Sequence, residues 1–221
     1  VSTYDLVLIT KHILGLEPLT TPYKMIAADA NRSGSITSFD IVEFRKLILG
    51  IYDELPNNTS WRFVDKAYSF PNPANPFGTA FPENISLNNV VVDMMANNFE
   101  GVKIGDVNNT SVPSAMSPAK ERFEGTVYFD SEDRLVQEAE VFEIKFNASE
   151  RLEGCQFTLE TNGLDVLEIL PGENMSKENF ALFPKKSMLT MAWETGGQAS
   201  FTLKMKAQRA GLLSDMLQIS S

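Results

Sequence analysis

The sequence predicts an α+β chain in two domains: a small helical module with an irregular Pro/Asn-rich insert, then an antiparallel β-sandwich. Three observations carry this. An internal repeat of helical periodicity stands near the start, a stretch dense in Pro and Asn follows, and a period-two alternation occupies the second half. The expected boundaries are 1–110 for the module, 111–120 for a linker and 121–221 for the sandwich.

The repeat is ungapped. Val1–Gly15 aligns with Ile36–Gly50, each opening on a hydroxyl residue suited to cap a helix (Ser2, Thr37) and closing on a glycine suited to end one. Ile41, Phe44, Leu47 and Ile48 recur at helical spacing, so two amphipathic helices are expected over roughly 3–14 and 38–49.

Residues 51 to about 105 break regular structure with Pro56, Pro71, Pro73, Pro76 and Pro82. Within them only Trp61–Val64 and Val90–Met95 read as strands. Asn108–Pro118 reads as a linker. From Glu121 onward apolar residues alternate with polar ones, at Phe123, Gly125, Val127 and Phe129 and again at Val141, Phe142, Ile144 and Phe146. Further strands are expected at Cys155–Glu160, Val166–Leu170, Met188–Trp193 and Phe201–Ala207. Turn signals at Asn162-Gly163, Pro171-Gly172 and Gly196-Gly197 separate them. Many short strands with such turns indicate an antiparallel sandwich.

Composition narrows the function. The 221 residues are 43% hydrophobic, enough for packed cores, and the net charge of −10 argues against nucleic acid and against a polybasic membrane contact. No apolar run approaches a membrane span of about 18 residues. The lone Cys155 excludes an internal disulfide and reads as a buried, inert thiol. Val1 falls inside a motif and Ser221 inside a strand pattern, so both ends read as fragment ends.

Asp29 to Asp40 carries the most chemistry. Calcium takes several hard oxygens, and a twelve-residue loop offers them from positions 1, 3, 5, 7, 9 and 12. Here these are Asp29, Asn31, Ser33, the Ser35 carbonyl, Thr37 (directly or through water) and Asp40, with Gly34 at the sharp turn and Ile36 as an apolar anchor. Only two of these groups are charged, which suits the weak affinities of extracellular modules, about 10⁻⁵ to 10⁻³ M. An Asx-turn feeding a helix cap is the metal-free alternative.

Asp106, Asn108 and Thr110 repeat the spacing of positions 1, 3 and 5, with no helix after them. The chain begins with the complementary half, ending in Asp5. One expectation is that the two halves complete a second site across the module; a plain Asn-rich turn is the other.

A twelve-residue loop that ends in Asp, runs into a single helix and recurs resembles a type I dockerin, over residues 1–50. The resemblance implies an EF-hand-like calcium module, with Val1 at position 8 and Asp5 at position 12 of the first loop. It also implies a partner surface at positions 10 and 11, which are Thr3 and Tyr4 in one repeat and Ser38 and Phe39 in the other, and at the basic Lys11 and Lys46. Position 11 departs from the family's hydroxyl, which points away from a standard cellulosome partner. Trp61–Val64, the Pro/Asn segment and Gly101–Asn108 resemble large surface proteins of Bacteroidetes-type bacteria, which are often exported by type IX secretion. Leu152–Leu159 with Leu164–Gly172 resembles a cohesin-type sandwich, over about 121–221, and Ala210–Ser220 matches its late strands.

The expectation that follows is a non-catalytic, calcium-stabilised interaction or scaffold module of an extracellular or cell-surface bacterial protein. Its partner would be a cohesin-like or other surface domain, or the chain's own sandwich. The alternative is a carbohydrate-binding sandwich attached to a secreted polysaccharide-degrading enzyme, which needs two or more coplanar exposed aromatics. Trp61 and Trp193 offer a sugar-stacking platform, although packing within a core is the expected role of each. An enzyme is disfavoured: His12 stands alone, Glu132/Asp133 lies in a turn-like run, and no phosphate or zinc motif occurs.

Overall fold

The computed structural model describes residues 1–88, 92–93, 95–111 and 128–220. It is α+β, mostly antiparallel sheet with three short helices. The chain divides into two compact units, Val1–Ile48 with Tyr52–Ser114, and Ala115–Ser221 with Leu49–Ile51.

In the first unit, α1 (Thr3–Ile13) and α3 (Ser38–Ile48) are the two expected helices. Each carries an acidic residue in its first turn, Asp5 or Asp40, and basic residues in its last, as the helix dipole favours. They pack on each other through Leu6, Ile9, Ile41 and Phe44. Between them lies α2 (Pro22–Ala28), which the repeat does not announce. Its start is nevertheless local chemistry: Thr21 Oγ1 accepts the Lys24 amide at 3.2 Å, and Pro22 occupies the first turn, where its missing N–H costs nothing.

The Pro/Asn-rich insert supplies a two-stranded antiparallel ribbon, β1 (Trp61–Asp65) and β2 (Phe99–Lys103). Alternation turns Arg62 and Val64 of β1 and Val102 of β2 inward, where the valines join the helices' core. Trp61, Phe63 and Asp65 face outward, opposite Lys103, Gly101 and Phe99 respectively. A cluster of Tyr23, Tyr68, Phe70 and Phe81 packs edge-on and tilted nearby, with the Arg62 guanidinium 4.7 Å from the centre of the Phe81 ring.

The second unit holds β3 (Phe129–Asp130), β4 (Leu135–Val136), β5 (Val141–Ala148), β6 (Cys155–Thr161), β7 (Leu164–Pro171), β8 (Phe180–Phe183), β9 (Met188–Trp193), β10 (Ser200–Ala207), β11 (Gly211–Leu212) and β12 (Leu217–Ser220). They form two four-stranded antiparallel sheets, ordered β3-β5-β10-β7 and β12-β6-β9-β8, and a small β11-β4 pair. Inward residues of both large sheets share one core around Phe146, Leu189, Met191, Trp193, Phe201 and Leu203. Phe146 and Phe201 stack at 4.8 Å. Trp193 is wholly buried, with its indole N–H donating to the Asn174 carbonyl at 2.7 Å.

Several details differ from the sequence reading. Asn162-Gly163 is a two-residue turn, but it joins strands of different sheets, β6 and β7, instead of closing a hairpin. The short strands β2, β4 and β8 were not expected. Phe123, Gly125 and Val127 lie outside the described residues, as does 112–120 of the expected linker. Of the expected strand Val90–Met95, residues 90, 91 and 94 lie outside them, and 92, 93 and 95 belong to no strand.

Candidate metal centre

The loop between α2 and α3 closes on its own carboxylates. Asp29 receives two amides, Ser33 on Oδ1 and Gly34 on Oδ2, both at 2.9 Å. Asp40 Oδ2 takes the Thr37 amide at 2.8 Å and its hydroxyl at 3.2 Å, while Oδ1 takes the Asn31 amide at 3.3 Å. Asn31 Oδ1 accepts the Ser33 amide at 3.0 Å, and the Ser33 hydroxyl meets the Ser35 carbonyl at 3.2 Å. The turn requires left-handed backbone at Arg32 (φ 58°) and Gly34 (φ 77°), which is why glycine stands at position 6.

The second, discontinuous loop repeats this geometry. Asp106 Oδ1 accepts the Thr110 amide at 3.0 Å and Oδ2 the Ser111 amide at 2.7 Å, again four and five residues on. Asn108 Oδ1 accepts the Thr110 amide at 3.1 Å and its hydroxyl. Asn109, at position 4, has the same φ of 58° as Arg32. Asp5 Oδ2 receives the Ser2 amide and hydroxyl, both at 2.8 Å, as Asp40 does from Thr37. Across the module, Asp5 Oδ1 accepts the amide of Val107, the neighbour of Asp106, at 3.1 Å. Asp5 is therefore brought against the Asp106–Ser111 turn from the opposite end of the unit.

All four aspartates are buried. Burial, and to a lesser degree the nearby Asp40 charge, raises the pKa of Asp29 above the ordinary carboxylate value; loop amides and Arg62 offset only part of this. A buried carboxylate pair, with amide, hydroxyl and carbonyl oxygens around it, fits a hard divalent ion. Among the described residues no three His, Cys, Asp or Glu side chains cluster. Each loop contributes two carboxylates, and its other oxygens are neutral.

The insert buttresses the first loop. Asn58 Nδ2 donates to the Asp29 carbonyl at 2.8 Å. Glu83 bridges Arg32 of the loop (2.8 Å) and Arg62 of β1 (2.8 and 3.0 Å), and Arg62 holds the Glu83 carboxyl below its usual pKa. Sequence reasoning missed both contacts, since nothing in the spacing links positions 32, 62 and 83.

The expected partner residues divide. Tyr4 and Phe39 are 52% and 72% exposed at equivalent places in the first turns of α1 and α3, and Ser38 is exposed beside Phe39. Thr3 is buried, which corrects its expected role as a surface hydroxyl. Lys46 is half-buried, held by Glu43 and the Tyr52 hydroxyl, both at 3.2 Å; Lys11 lies 3.8 Å from Glu17.

Other tempting residues take structural roles. His12 Nδ1 accepts the Leu19 amide at 3.1 Å and anchors the turn after α1. Asp133 receives the Ser214 amide and hydroxyl at 3.0 and 2.9 Å. Burial pushes the Cys155 thiol up to about 12, so it stays protonated at neutral pH. Trp193 is core, as expected. Trp61 is not: it lies half-buried on the outward face of β1.

No family model matches the chain, and no curated protein or solved structure matches it either.

Proposed function

We propose that the chain is a non-catalytic, calcium-stabilised interaction and scaffold unit of a secreted or cell-surface bacterial protein, combining a dockerin-like module with a cohesin-like β-sandwich. The observation that carries this reading is the repetition of one hydrogen-bond pattern in two loops, one continuous and one assembled from Asp106–Ser111 and Ser2–Asp5. Asp29, Asn31, Ser33, the Ser35 carbonyl, Thr37 and Asp40 would hold the first ion; Asp5, Asp106, Asn108 and Thr110 would contribute to the second. Bound calcium would set a positive charge between the buried carboxylates of each loop. Around the loops, the protein's own amides fix the carboxylate rotamers in advance, which lowers the ordering cost of binding.

Tyr4 and Phe39 would be the apolar anchors for a protein partner. They sit at matching positions of two helices, and aromatic anchors dominate interface energetics.

Calorimetric titration of the whole chain with calcium tests the reading. Saturable binding of two ions is expected, falling to one with Asp40→Ala and also to one with Asp106→Ala. No heat and no thermal shift at millimolar calcium in the wild-type protein would refute the metal-dependent part outright.

A further inference from the structure

We propose a glycan-stacking site on the outward face of the β1–β2 ribbon, formed by Trp61, Phe63 and Phe99 around Gly101. Its ligand class is a neutral, equatorially linked polysaccharide whose successive pyranose rings present flat faces.

Strand alternation places these rings together. Arg62, Val64 and Val102 point into the unit, so Trp61, Phe63 and Phe99 share the opposite face. Phe63 is 51% exposed and Phe99 40% exposed. Residues two apart on one strand stand about 6.5 Å apart, and Phe99 is diagonal to Phe63 across the pair, so the three rings make one short strip. Gly101 is the floor. A Cβ at that position would lie 3.6 Å from the Trp61 ring and 3.7 Å from the Phe63 ring, so both rings lean over the glycine and cover the backbone. Glycine is a poor strand residue, and at this position a Cβ would meet the two rings at ordinary contact distance.

The size and charge of the strip select its occupant. Phe63 and Phe99, of roughly 150–250 Å² each and partly exposed, together with the more deeply set Trp61, offer roughly 250 Å². That is well short of the ~800 Å² per partner of a stable protein interface, yet ample for two or three sugar rings. Aromatic faces are electron-rich and attract the polarised C–H groups of a pyranose face. Lys103, with its ammonium 5.6 Å from the centre of the Trp61 ring, stands at one end, and Asp65, opposite Phe99, at the other. Their charges cancel while offering a donor and an acceptor to hydroxyls, which favours a neutral glycan over a polyanion.

Tryptophan fluorescence of the whole chain, titrated with cellohexaose, reads the site directly, because Trp193 is buried and Trp61 is the reporter. Cellohexaose is expected to perturb the emission saturably, with α-linked maltohexaose binding at least about tenfold more weakly, a difference of about 1.4 kcal/mol. Gly101→Val keeps every ring and suits a strand; its Cβ meets both rings at contact distance and its two further methyls crowd them, so the response should weaken with the melting temperature retained. Trp61→Phe should leave only the inert Trp193 signal, and Phe99→Ala should weaken binding about tenfold by calorimetry. Absence of cellohexaose binding up to millimolar concentration by a protein that melts cooperatively would overturn the proposal. So would binding untouched by Gly101→Val, or a response to polygalacturonate alone that salt removes. The calcium reading stands or falls separately on its own titration.

Discussion

Asp29 sits at the start of α3's loop with a carboxylate that burial and Asp40 make reluctant to ionise. A carboxyl whose pKa is raised by folding stabilises the fold at pH below its unfolded value, and that contribution is lost as pH rises through the folded value. The metal-free first unit should therefore lose stability from about pH 4 upward, and calcium should restore it. Asp29→Asn removes the repulsion and keeps an acceptor for one loop amide. Thermal melts should show this variant more stable than wild type in chelator and indifferent to calcium at the first loop. A variant less stable in chelator, with its full calcium response, would contradict this account. His12 works in the other direction. Burial lowers its pKa, so its contribution is present above about pH 6.5 and is lost as pH falls through the lower folded value, when Nδ1 can no longer accept from Leu19.

At the scale of elements, the ribbon and the first loop are tied by Glu83. Arg62 is buried, and losing its partner leaves an unpaired charge beneath β1. Glu83→Gln should cost about 2 kcal/mol by denaturant unfolding, with the difference fading as pH falls through the depressed Glu83 pKa. Arg32→Ala, which removes an exposed guanidinium from the same carboxylate, should cost less than about 1 kcal/mol. Equal costs would mean that the buried arm does not dominate. Much at this scale was legible in the sequence. The helices followed from apolar spacing and caps, and β5, β6, β7, β9 and β10 from alternation. The half-loops were readable because calcium-type spacing survives being split. The helix α2 was missed although Thr21-Pro22 announces it, and β2 because Phe99-Glu-Gly-Val-Lys103 is short and holds a glycine. The Asn162-Gly163 turn was legible as a turn, whereas the sheet each flanking strand joins is set by partners distant in sequence.

At the scale of the whole molecule, each unit carries its own core. The first centres on Leu6, Ile9, Phe44 and Val64, and the second on Trp193, Phe201 and Leu203. Both carboxylate loops belong to the first unit. Differential scanning calorimetry should therefore resolve one transition that calcium raises and one that it leaves in place. A single transition moved as a whole would show the two cores melting together.

The two loops also differ in when they can exist. Asp29 and Asp40 meet within one short turn, a closure that an unfolded chain makes in well under a microsecond. Asp5 and Val107 are 102 residues apart, so their contact waits until helices, insert and ribbon have assembled between them. The first loop can therefore close at the outset of folding. The second closes only at its end, and its completion marks the moment at which the unit's two extremities have been fastened together.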